Sequence, residues 1–176
     1  MDLVLTGHSH NYERSFLLKG HYDNEASFNA SLHTASTSSG KDDGSLDSCP
    51  YVTATGKTNQ GTVYVVSGSA GTVGSVQTGW PHHAMPFSDN GGGIFYLEVE
   101  QNRLDAKYLR SDGVVWDQFT ILKDVNKTSQ VVLADSRTTQ LTASWIGTYK
   151  WSTGETSRTI TVSPLSNTTY QVTGNA

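Results

Sequence analysis

One cysteine, four prolines and two methionines occur among 176 residues, and only 16% of the chain is charged. A single cysteine, Cys49, cannot close an internal disulfide, so a disulfide-stapled scaffold is excluded. Its setting, Ser48-Cys49-Pro50-Tyr51, holds nothing that activates a thiol, and a lone thiol with no special role is the plain reading. The 12 Lys and Arg residues are scattered, and the net charge is −4. That balance leaves no basic patch for nucleic acid or an anionic membrane. No stretch approaches the roughly 20 apolar residues that span a bilayer. Met1-Asp2-Leu3-Val4-Leu5 lacks the basic segment and long apolar run of an export signal. No stretch has the periodicity of an amphipathic helix.

What remains is a Gly-, Ser- and Thr-rich composition typical of exported β-rich proteins. The length suits one ordinary domain, or one modest domain with an appendage. Leu3-Val4-Leu5 is a short apolar run ending at Gly7, as expected of a strand buried on both faces. From about Tyr22 to Gly61 the chain is polar and predicts a largely structureless insertion, of a length found where a segment lines a site or moves. Thr62-Val63-Tyr64-Val65-Val66 reads as a strand. A glycine-dense loop from Ser67 to Gly93 follows and carries Trp80-Pro81-His82-His83. A meander comes next: strands at 94–99 and 104–109, a turn at Gln101-Asn102, a hairpin turn at Ser111-Asp112-Gly113, and two further runs at 114–116 and 119–122. Beyond Lys123-Asp124 the texture changes to short alternating runs of Thr, Ser, Val and Tyr. Strands are predicted at 131–133, 140–143, 148–151, 159–162 and 169–172, the pattern of a small β-sandwich. The boundary is expected near Val125-Asn126, which divides the chain into residues 1–124 and 125–176.

The residues with the most chemistry are His8 and His10. In an extended segment, positions i and i+2 point to one side with Cα atoms about 6.5 Å apart. Two imidazoles held so can reach two metal ions roughly 3.5–4 Å apart, one ligand to each. Gly7 frees the backbone to turn at the strand end, and the carboxyl ends of buried strands are where α/β sheets gather their sites. A His-x-His pair alone is weak evidence for metal. The neighbouring Glu13 and Arg14 read equally as support for a loop or as plain surface charge.

Thr6-Gly7-His8-Ser9-His10-Asn11-Tyr12-Glu13-Arg14-Ser15 closely resembles the last conserved block of the purple acid phosphatases and the related calcineurin-like metallophosphoesterases. Residues 61–71 resemble the next strand and glycine loop of that family, and 92–99 through 112–121 its closing hairpins. The resemblance spans roughly residues 2–124. It implies an α/β four-layer sandwich represented here only by its mostly-β carboxy-terminal half, and an enzyme that hydrolyses phosphate esters at two metal ions (Fe, Zn or Mn). By the same resemblance His8 ligates the more exchangeable ion and His10 its neighbour, while Asn11, Tyr12, Glu13 and Arg14 support the loop. His82 and His83 are candidate contacts to substrate phosphate, with help from Asp89-Asn90; the alternative is ordinary polar loop residues. No role is assigned to His21 or His33.

The family builds its site from five blocks, and one is present. Two imidazoles do not hold a metal pair, which needs several protein ligands and a bridging carboxylate. The chain is therefore expected to begin inside a domain, to be inactive alone, and to have its export signal upstream; the parent protein is expected to be secreted, periplasmic or cell-surface. The tail, with Trp151 as core aromatic and alternate residues of Ile160-Thr161-Val162 packed on it, resembles a bacterial PKD- or immunoglobulin-like module. It is expected to be cut short at Ala176. Asn29, Asn126 and Asn167 head glycosylation sequons, a pattern common by chance. The alternative function is a secreted carbohydrate- or surface-binding module with an incidental His pair. The oligomeric state is not legible.

Overall fold

A computed structural model describes residues 1–133 and 137–174, and they are mostly β. In chain order the first elements are β1 (Leu3–Thr6), β2 (Tyr12–Arg14) and β3 (Leu17–Leu18). A 3-10 turn (Glu25–Ser27) and one helix, α1 (Ala30–His33), follow. Then come β4 (Thr34–Ser36), β5 (Tyr51–Thr53), β6 (Val63–Ser67), β7 (Gly93–Glu100), β8 (Arg103–Arg110) and β9 (Val115–Lys123). The tail contributes β10 (Thr139–Thr142), β11 (Lys150–Trp151), β12 (Thr159–Val162) and β13 (Val172–Thr173). Among the described residues no helix is long and apolar enough to cross a membrane.

β6 is the centre of one sheet, with β1 parallel on one side and β2 antiparallel on the other. Its alternation of buried Val63 and Val65 with exposed Tyr64 leaves one apolar face, which suits the stiff χ1 of β-branched residues on a pleated surface. The second sheet runs β5-β9-β8-β7: a three-strand meander with β5 added in parallel to β9. Tyr12, Val63 and Val65 of the first sheet form a common core with Tyr51, Ala106, Tyr108, Phe119 and Ile121 of the second.

Several expectations change. β1 is not buried on both faces: Leu5 is 50% exposed, because β1 is an edge strand that pairs only with β6 among the described residues. The insertion is not structureless. It supplies β4 and β5 and sends Tyr51 into the core, with Gly40 packed so closely on that ring that a Cβ would meet it. The runs at 114–116 and 119–122 are one continuous strand, β9, whose ladder with β8 is broken only by an irregularity at Tyr108/Leu109. Residues 131–133 are not a strand; Val132 is 96% exposed and nothing pairs with that run among the described residues.

In the tail, β10 pairs with β12 and β11 with β13, which keeps only Val172 of the strand expected at 169–172. Ala143, Tyr149, Trp151, Ile160 and Val162 make a second core cluster, with Thr161 outside as alternation requires. The turn at Gln101-Asn102 touches this tail: Asn102 Nδ2 donates to the carbonyls of Lys123 and Ser144, and Arg158 donates to Gln101 Oε1 at 3.0 Å. The expected truncation at Ala176 lies outside the described residues.

Candidate metal loop

The loop Gly7–Asn11 joins β1 to β2, two strands on opposite sides of β6, so it crosses the carboxyl end of β6. The chain leaving β6 runs directly beneath it. Gly68 N donates to Asn11 O at 3.1 Å and Gly74 N to His10 O at 2.8 Å. Glycine is required for this approach. A Cβ on Gly68 would overlap the Ser9 carbonyl, and one on Gly74 would sit 3.1 Å from His10 Cβ.

His8 and His10 are both exposed on this loop. His8 has φ +78°, in the left-handed region that side chains seldom adopt and that collects at functional sites. The extended His-x-His geometry expected from sequence is therefore replaced by a turn at His8. Asn11 is only 7% exposed; its Nδ2 donates to Glu13 Oε1 at 2.9 Å, and its Oδ1 is buried without a hydrogen-bond partner among the described residues. Among the described residues no third His, Cys, Asp or Glu joins the two histidines in a metal-sized group. Two exposed imidazoles and an orphaned carboxamide oxygen suit part of a metal site. They do not fit a complete pair of ions, because no bridging carboxylate stands with them among the described residues.

Beneath the loop the polar order is dense. Arg14, expected as either loop support or surface charge, is fully buried. Its Nε and Nη2 grip both carboxylate oxygens of Asp117 at 2.5 and 2.7 Å. Nη2 also donates to Ser39 O and Nη1 to Tyr51 Oη. Its guanidinium lies 3.8 Å from the Phe87 ring centre and 4.9 Å from that of Phe119. Burial alone lowers the Arg14 pKa, but bonding to and the charge of Asp117 outweigh it and the net shift is upward. Tyr12 donates to Asp117 Oδ2 at 2.7 Å and stacks on Tyr108 at 4.0 Å. Burial, then the Asp117 charge, push the Tyr12 hydroxyl well above its usual range, so it stays a proton donor. Glu13, between them, is half-buried.

Asp89, expected near substrate, is buried and committed elsewhere. Its carboxylate pairs with Arg110 through both oxygens and accepts Gly91 N, while its backbone exchanges hydrogen bonds with Tyr12. Arg110 in turn lies over Trp116. A carboxylate so occupied fastens the glycine loop.

His82 and His83 are brought to the insertion. His82 Nδ1 accepts from Ala84 N at 3.0 Å and its ring meets Phe28 edge-on; His83 pairs with Glu25 at 3.0 Å. His82 and His21 line a cleft of about 770 Å³ over the outer face of β1 and β6, a cleft whose lining excludes His8 and His10. The glycine loop meets the His8–His10 loop through Gly68 and Gly74, not through this histidine pair.

Sequence reasoning passed over Asp117, Gly68 and Gly74. One signal was available. Asp117, Phe119 and Ile121 share the inward face of β9 by period-2 alternation, and an inward Asp demands a buried partner.

No family model matches the chain, and no curated protein matches it. Among solved structures it is similar to purple acid phosphatase PPD1 from yellow lupin (Lupinus luteus) seeds, at 22% identity and a TM-score of 0.45. The match covers 76% of this chain and 21% of that one, so the chain spans about a fifth of that protein's length. A likeness of that size decides nothing about activity.

Proposed function

We propose that this chain is the carboxy-terminal part of a metallophosphoesterase, and that residues 7–14 contribute two ligands to its metal site. His8 and His10 are the ligands, one to each of two ions. The remaining ligands and a bridging carboxylate come from polypeptide outside these residues. The reaction class is phosphate-ester hydrolysis, for which a metal pair supplies Lewis acidity and an activated water. The observation that carries the reading is the loop itself: two exposed imidazoles, the first in a strained left-handed turn, on a backbone pinned by Gly68 and Gly74.

Residues 1–124 belong to that enzyme domain in this reading. Residues 125–176 form an appended immunoglobulin- or PKD-like module, supported by their separate core around Trp151. The parent is an exported or cell-surface protein, which the low charge supports.

Titration of the purified chain with Zn²⁺, followed by NMR of the histidine rings, tests the metal reading. Weak binding that shifts His8 and His10 together, lost in His8→Ala and in His10→Ala, is expected, with no hydrolysis of p-nitrophenyl phosphate. Tight uptake of two ions would overturn the proposal that the ligand set is incomplete. Shifts at His21, His33 or His82 with none at His8 and His10 would sink the loop as a metal site.

A further inference from the structure

We infer that Asp117 is the positioning residue of the His8–His10 loop, acting from a different sheet and 105 residues beyond Tyr12. The role rests on the reading of that loop as the one that presents metal ligands. The geometry is independent of it.

Tyr12 and Arg14 are the two inward positions of β2, with Glu13 between them turned partly outward. Asp117 binds both: Oδ2 accepts the Tyr12 hydroxyl and Arg14 Nε, and Oδ1 accepts Arg14 Nη2. One carboxylate therefore holds successive inward side chains of a three-residue strand. The backbone ladder of β2, with β6 on one side and Asp89 on the other, holds it within its own sheet but does not itself fix how it sits against the second sheet. Tyr12 directly follows Asn11, the last residue of the loop, and Asn11 is tied to Glu13 through Nδ2. A displacement of β2 thus passes straight to Asn11 and His10, whose carbonyls accept from Gly68 and Gly74.

Charge here serves geometry better than it serves stability. A buried ion pair roughly balances its desolvation cost, and apolar replacements of similar volume are often neutral. What apolar groups lack is direction: they fill the space between the sheets without selecting one placement of β2. The bidentate fork and the tyrosine hydroxyl select one.

The test is amide hydrogen exchange on the full chain. Gly68 and Gly74 report the loop, because their N–H groups bond to it. Ser111 and Ala143, bonded to Gly92 and Arg158, report the meander and the tail. In Asp117→Asn, exchange at Gly68 and Gly74 is expected to rise at least about tenfold more than at Ser111 and Ala143. An equal rise at all four, or none, overturns the inference.

Should Asp117→Asn fail to fold, Tyr12→Phe decides, since it removes one hydroxyl and keeps the stack on Tyr108. A rise confined to Gly68 and Gly74 supports the inference; a uniform change overturns it. The double variant Arg14→Met/Asp117→Leu separates position from stability. Wild-type denaturation with a loose loop supports the inference, and restored protection at Gly68 and Gly74 overturns it. The Zn²⁺ titration of the unaltered chain stands apart. Its failure, with loop exchange behaving as expected, removes the metal reading and leaves Asp117 in its positioning role.

Discussion

At the scale of single residues, the loop depends on atoms that are absent as much as on those present. Gly68 lies against the Ser9 carbonyl, where even a methyl group overlaps. Gly68→Ala is expected to cost about 1–3 kcal/mol, the usual range for forced overpacking, and to shift the His8 and His10 resonances. Gly71, three positions on, has nothing within 4 Å of its Cβ direction among the described residues. Gly71→Ala should leave denaturation and both resonances near wild type, and equal behaviour of the two variants in urea melts would refute the packing account. Both glycines look alike in the sequence. Only the approach of a second loop makes one of them indispensable. Arg14 teaches the same lesson, since beside Glu13 it reads equally as loop support or surface charge until Asp117, Tyr51 and the Ser39 carbonyl close around it.

At the scale of elements, hydrophobic alternation located β6, β7, β8 and β12 to within a residue or two of their ends. It misjudged elements whose burial depends on neighbours. β1 has the apolar run of an interior strand yet, among the described residues, lies at a sheet edge. The polar insertion packs because Tyr51 and Gly40 dock on the meander, which composition does not foretell. The glycine loop is held to β2 and β8 by Asp89 and Arg110, and this contact carries a pH signature. Arg110 hydrogen bonds, opposed by burial and aided by Gly91 N, hold the Asp89 carboxyl below its usual value. A folded pKa below the unfolded one adds stability that is fully present above the unfolded value, about 3.9, and is lost as pH falls through the folded value. Stability measured by urea denaturation is therefore expected to fall below about pH 4. Asp89→Asn should be less stable at neutral pH and show a shallower fall; an unchanged slope would count against the pair.

At the scale of the whole molecule the described residues form two cores, one between the two sheets and one around Trp151. They meet at the Gln101-Asn102 turn and at Arg103, which reaches Asp42, Asp105 and the Ile146 carbonyl. The tail core is small, so truncating its largest side chain removes much of it. Trp151→Ala is expected to cost the tail about 3–5 kcal/mol. Exchange at Ala143 should rise steeply while Gly68 and Ser111 stay protected. A uniform loss of protection would mean that the cores unfold as one unit.

By itself the sequence determined the β-rich class, the change of texture near residue 125, and the two imidazoles beside Gly7. Each of these depends on local pattern: residue type, alternation and turn chemistry within a few positions. The tertiary structure decided which neighbours those residues have. It set His8 in a left-handed turn, drew His82 and His83 to the insertion, and buried Arg14 on an aspartate 103 positions away. Partners so distant are chosen by the face-to-face packing of two sheets, which no short stretch of sequence encodes.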